Sequence, residues 1–308
     1  MHTGKTAILA LCASMFTAGG CDLTSFMIKA TVDTTATVET PMEIWDTDIL
    51  EYAIVNSIVV NEGQLELVPD YEPLLIATIM SEVGYAGMWL DEKADKAELA
   101  GDFDEIERLD KRQGLLFDRA LLHAKHMLRL RDDGFDKALG GGVEYFEKWV
   151  KENFFRKQDA EVALTAGTAW LATMQSSEDG LAAAVDRPFA EALINRSIEL
   201  DPELDGARGL VLLGTVECTV PAMLGGDPEK GLAYLERAAK LTDRRVHGTM
   251  VTMAELCAVA LQDRKLFRDL LMEVIESGDV EEYRMLNHFA RRKAVRVLSQ
   301  ADEYFMDM

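Results

Sequence analysis

The sequence predicts an all-α protein. Over residues 42–308 it predicts degenerate tetratricopeptide-like helix-pair repeats stacked into an α–α superhelix. Three observations carry this reading. Apolar residues recur with a helical period along most of the chain, no sustained alternating pattern of a β-sheet is found, and segments near helix ends match one another at offsets close to a helix-pair repeat.

The helical period is clearest in three stripes. Phe117, Ala120, Leu121, Ala124 and Leu128 fall on one face of a 3.6-residue helix; so do Phe267, Leu270, Leu271, Val274 and Ile275, and Leu286, Phe289, Ala290, Ala294, Val297 and Leu298. The β-branched run Ile54 to Val60 is short and lies inside a longer helical frame, so it too reads as helix. Helix starts are marked by Asp227-Pro228 after Gly225-Gly226, where the carboxylate can cap free N–H groups and proline suits the first helical position. Asp201-Pro202 reads as the same device, and Gly140-Gly141-Gly142 as an inter-helix loop.

The repeat is weak. Arg196-x3-Leu200 aligns with Arg237-x3-Leu241 at an offset of 41, and Leu235 to Asp243 with Leu271 to Asp279 at an offset of 36. Ala190, Ala192, Ala233, Ala238 and Ala239 are the small residues expected where paired helices touch. Trp45, Trp89, Trp149 and Trp170 are expected to pack between helices.

The N-terminus has the features of a targeting segment. A single Lys5 precedes an apolar run from Ala7 to Ala18 that is too short to span a bilayer, and Ala18-Gly19-Gly20-Cys21 places small residues before a cysteine. This resembles a bacterial lipoprotein signal, with Ala18 standing where a larger aliphatic residue is usual. Residues 1–20 are therefore expected to be removed and Cys21 to be lipidated, since diacylation supplies the two chains that stable anchoring needs. Residues 21–41 read as a lipid-anchored, extended tether, reaching at most roughly 60 Å over Asp22 to Thr40. The folded body is expected from residue 42.

Charge excludes some partners. The chain carries 32 Lys+Arg against 54 Asp+Glu, a net of −22 that becomes −23 once Lys5 leaves with the signal. Such a surface repels phosphate backbones and anionic lipid heads, so neither nucleic acid nor electrostatic membrane binding is expected. Of the four cysteines, Cys12 leaves with the signal and Cys21 is acylated. Cys218 and Cys257 remain, 39 residues apart, close to the repeat length. They read either as two small buried hydrophobes or as a disulfide between stacked repeats.

No catalytic or cofactor motif is found. His123 and His126 share a helix face but have no third ligand beside them in sequence, so no metal is expected there. Asp102, Asp104 and Glu105 lack the glycine of a calcium loop and read as a solvated helix start. Arg291, Arg292, Lys293 and Arg296, beside Asn287 and His288, form the one basic cluster. It reads as a charged face balancing an acidic body, or as a contact with a neighbouring subunit or an acidic ligand. Ligand-binding residues stay unassigned, and no enzymatic activity is expected.

Several segments, in order, carry a family resemblance. The run PAMLGGDPEKGLAYLERA from Pro221 to Ala238 is followed by FRDLLMEV from Phe267 to Val274. Then come Leu286-Asn287-x2-Ala290-x3-Ala294-x3-Leu298 and the closing Phe305. Upstream lie Tyr85-Ala86-Gly87-Met88 through Arg119-Ala120, and Ala169-Trp170 followed by Ser176-Ser177-Glu178-Asp179. Over about residues 45–306 the chain resembles the T component of tripartite ATP-independent periplasmic (TRAP) transporters, the TatT family. The resemblance implies a periplasmic lipoprotein that forms trimers, associates with the transporter's solute-binding protein, and holds or passes a small organic ligand. The other reading is a periplasmic scaffold lipoprotein for envelope protein assembly, which also uses tetratricopeptide arrays on a lipid anchor.

Overall fold

The computed structural model describes residues 20–32, 44, 46–175 and 180–305. The signal segment up to Gly19, Trp45 and the side chain of Cys21 lie outside the described residues. Every regular element among the described residues is helical.

Helix α1 spans Gly20–Val32, α2 Thr47–Leu65 and α3 Glu72–Gly84. A π-helical turn, Tyr85–Leu90, continues α3 into α4, Asp91–Ala100. The long α5 covers Phe103–Arg131, followed by α6 Phe135–Gly140, α7 Val143–Asn153, α8 Asp159–Gln175 and α9 Gly180–Leu200. The last third holds α10 Leu204–Thr219, α11 Pro228–Leu241, α12 His247–Thr252 with a second π turn at Met253–Ala258, α13 Arg264–Glu276, α14 Arg284–Ser299 and α15 Ala301–Tyr304.

Each apolar stripe read from the sequence faces a core. Phe117, Ala120, Ala124 and Leu128 are buried on α5, as are Phe267, Leu270, Leu271 and Val274 on α13. Ile54 to Val60 lies within α2. Asp227 caps α11 by accepting from Lys230 N, with Pro228 at the first turn, and Asp102 caps α5 by accepting from Glu105 N. Asp201-Pro202 differs from expectation: α10 starts after Glu203, without a side-chain cap, and Asp201 pairs instead with Lys157. Asp205, Gly206 and Ala207 turn left-handed at φ 50°, 66° and 61°, so the regular right-handed part of α10 follows Ala207. That turn is a different way to start a helix.

The segment expected to be an extended tether is helical over Gly20–Val32. Ile28 is buried in the main core, and the Lys29 ammonium stands 5.4 Å from the Tyr71 ring centroid. The residues that point inward, Ile28 and Val32, are four apart, which a helix brings to one face.

The main core centres on aromatic rings. Phe146 packs edge-on against Trp170 at 6.0 Å and Phe189 at 5.2 Å, and is stacked with Trp149 at 5.7 Å. The second core groups Phe267, Leu271 and Val274 with Met250, Cys257 and Phe305. A third cluster joins elements far apart in sequence: Leu50, Tyr85, Trp89 and Leu109 surround Met285 and Phe289, with the Trp89 and Phe289 rings edge-on at 4.9 Å.

Helix pairs approach closely through small residues. Ala190, Ala238 and Ala239 are buried as expected, but Ala192 is only half-buried and Ala233 is exposed. The tightest contacts belong to glycines. A Cβ on Gly167 of α8 would meet Ile194 at 2.6 Å, and one on Gly209 of α10 would meet Ile198 at 2.8 Å. The segments matched in the sequence repeat are the C-terminal ends of α9, α11 and α13.

The stretch Glu72–Ala100 is long and apolar enough to cross a membrane by length and composition. Leu74, Leu75, Ile79 and Leu90 along it are essentially inaccessible, as befits a core helix.

Candidate functional site

Three helices converge their polar groups at one point. Helix α2 presents Glu62, α3 presents Glu82, and α5 presents Arg119, His123 and His126. Arg119 and His123 are four residues apart and share a face of α5. On α3 the buried positions are Leu74, Leu75, Thr78, Ile79 and Glu82, so the carboxylate of Glu82 occupies a place in the core stripe. It has no exposed surface, and neither oxygen makes a hydrogen bond with any described group.

The arrangement is compact. His123 Nε2 lies 3.1 Å from Glu62 Oε1 and 4.0 Å from Glu82 Oε1. The Arg119 guanidinium pairs with both oxygens of Glu62, and its Nε is 3.6 Å from Glu82 Oε1. His126, one turn on, leaves the cluster: its Nε2 contacts Asp70 Oδ1 at 3.0 Å and the Pro69 carbonyl at 3.2 Å. A cavity of about 270 Å³ opens beside these groups, walled by Leu65, Pro69 and Leu75.

The two carboxyls are driven apart in acidity. The Arg119 guanidinium, helped by His123, holds Glu62 down to about 2. Burial first, and the facing Glu62 carboxylate second, push Glu82 up to about 8. At neutral pH the pair therefore carries one negative charge and one proton, a state suited to exchanging a proton or a cation.

The remaining sequence-selected residues fall elsewhere. The basic cluster is spent within the chain. Arg292 donates to both oxygens of Glu92 at 2.9 and 2.7 Å, Arg296 pairs with Asp95, and Arg291 donates to the Ser277 carbonyl at 2.6 Å. Lys293 Nζ stands 3.4 Å from Asp91 and 3.2 Å from Glu255. Burial raises both carboxyls, while their negative charge raises Lys293 despite its own burial. This is the charge-balancing reading of the cluster, with its acids contributed by α4 and the second π turn. Asn287 is buried, accepting from His247 N at 2.8 Å and donating to the Arg245 carbonyl at 2.9 Å. Asp104 and Glu105 sit in the first turn of α5, where Glu105 pairs with Arg108. Cys218 on α10 and Cys257 in the second π turn form a disulfide, with Cα atoms 5.0 Å apart. Trp89, Trp149 and Trp170 pack between helices.

In the sequence His123 reads only as a partner of His126, with no assigned role; the groups the fold brings to it, Glu62 and Glu82, are 61 and 41 residues away. One signal was available: Glu82 is an ionisable residue at a core position of the stripe Leu74, Leu75, Thr78 and Ile79.

No curated protein matches the chain. A family model, that of the TRAP transporter T-component, matches residues 45–305. That span takes in every helix from α2 to α15, the polar cluster and its cavity, and the chain belongs to the T-component family of TRAP transporters.

Proposed function

We propose that the protein is a lipid-anchored periplasmic accessory component of a TRAP-type uptake system, acting by binding rather than catalysis. The observation that carries this reading is the family match over residues 45–305. In this reading Cys21 is acylated after removal of residues 1–20, and the helical body works as a degenerate tetratricopeptide-like array. It associates with the solute-binding protein, as a homotrimer, and holds or passes a small organic ligand. The acidic surface favours protein and small-molecule partners over nucleic acid. The open cavity of about 270 Å³ beside Glu62, Arg119 and His123 is a shallow recess with polar groups at one end, sized for a small ligand.

The test is recovery from native membranes after mild cross-linking. The expected outcome is co-purification of a periplasmic solute-binding protein, with Cys21→Ser releasing the chain from the membrane fraction. Recovery of envelope-assembly proteins in its place would sink the transport reading and favour a scaffold.

A further inference from the structure

We propose that Glu62, Glu82 and His123 form a binding site for a borderline divalent transition-metal ion of the zinc class, with Arg119 as the cation the metal displaces. One ligand atom from each of the three residues can be chosen so that all lie within 4.8 Å of one another. Around a tetrahedral zinc with ligand bonds of about 2.0–2.1 Å, neighbouring ligand atoms are separated by about 3.4 Å. The separations of 3.1 and 4.0 Å from His123 Nε2 to the two carboxylates bracket that value. Three protein ligands leave a fourth position, and His123 and Glu62 both line the adjoining cavity, so that position opens on it.

A second, independent observation is Glu82 itself. It has no accessible surface, no hydrogen-bond partner among the described groups, and an oxygen directed toward His123. Ionising Glu82 in such a place costs several kcal/mol, which Arg119 at 3.6 Å offsets only in part, and a bound cation removes that cost.

Arg119 occupies the place a cation would take. Its guanidinium pairs with Glu62 and approaches Glu82, so it stands where positive charge is needed. Its side chain is 54% exposed, so it can turn to solvent when an ion arrives. Metal binding then replaces one arginine charge and one Glu82 proton by a dication, and the proton is released to water. One imidazole and two carboxylates suit zinc and its first-row neighbours; calcium and magnesium prefer six or more oxygens, and no thiolate is present to select soft ions.

The full chain, freed of metal by a chelator, is titrated with zinc chloride by calorimetry near neutral pH. The expected result is one saturable site per chain, with release of about one proton read from buffers of different ionisation enthalpy. Glu82→Gln and His123→Gln are expected to weaken binding by about tenfold or more. His126→Gln leaves it unchanged, and Arg119→Gln tightens it severalfold, a gain that misfolding cannot mimic. Magnesium chloride at the same concentrations gives no saturation. Absence of a saturable zinc site overturns the proposal, as does zinc binding that survives Glu82→Gln or is lost on His126→Gln.

Discussion

Gly214 of α10 and Gly231 of α11 face each other so closely that neither can carry a side chain. A Cβ on Gly214 would stand 2.9 Å from the Gly231 carbonyl oxygen, and a Cβ on Gly231 would stand 2.8 Å from the Gly214 carbonyl oxygen. The second would also meet Cys218 Sγ at 2.4 Å. Alanine normally favours a helix over glycine by up to about 1 kcal/mol, but the crowding is against backbone, which cannot turn aside. Gly214→Ala and Gly231→Ala are each expected to destabilise by about 1–3 kcal/mol, seen as a lower denaturant midpoint.

The Cys218–Cys257 disulfide, whose Cys218 sulfur lies against Gly231, ties α10 to the second π turn. The bond closes a loop with a sequence separation of 39, for which chain entropy gives roughly 4 kcal/mol. Wild-type protein is expected to lose stability of this order when dithiothreitol is added. A Cys218→Ser/Cys257→Ser variant should start from the lower value and not respond. A reductant effect of equal size on the variant would disprove the assignment of the loss to this bond.

Lys293 carries the charge balance between α4, the second π turn and α14. Replacing it by methionine leaves Asp91 and Glu255 facing each other where burial already disfavours their ionised forms. Lys293→Met is expected to cost about 2 kcal/mol, below the usual range for a fully buried pair because the lysine is only half-buried. Adding Glu255→Gln should restore part of the loss, and the double-mutant cycle measures how much.

The acid pair sets a pH dependence of stability in chelator-treated protein. Glu82 holds its proton in the fold up to about 8, whereas the unfolded chain releases it near 4.5. Between those values the folded state binds more protons, so stability falls as pH rises. Glu62 acts the other way: held down to about 2, it adds stability above 4.5 that is lost as pH falls toward 2. Glu82→Gln removes the first effect. Thermal melts should show the variant gaining on wild type between about pH 5 and about pH 8 by at least about 1 kcal/mol, roughly 2–4 °C.

The contrast between α5 and α3 shows how far the sequence could be read. The stripe from Phe117 to Leu128 lies on one helix, so its period reveals both the helix and its buried face. The caps at Asp102 and Asp227 are equally local, acting within three residues. Glu82 becomes informative only when α2 and α5 bring Glu62, Arg119 and His123 to it, and no pattern within a single helix encodes that meeting. The glycine contacts were missed for a related reason. Alanine was expected at the helix crossings, but Gly167, Gly209, Gly214 and Gly231 allow a closer approach that only the facing side chains reveal. The basic run on α14 was legible as a charge cluster, while its acids lie about 200 positions earlier on α4.

That last pairing limits how the molecule can change. In an open solenoid each repeat touches only its neighbours, so units are gained or lost without disturbing the ends. Here Arg292 reaches Glu92, and Phe289 packs on Trp89, across most of the chain. Those contacts tie α14 to α4 and to the first π turn. Inserting or deleting one helix pair between them would displace one side of this joint by about 10 Å, the spacing of packed helices, and unfasten it. Changes in helix number between Trp89 and Phe289 are therefore constrained by a contact that lies outside the changed segment.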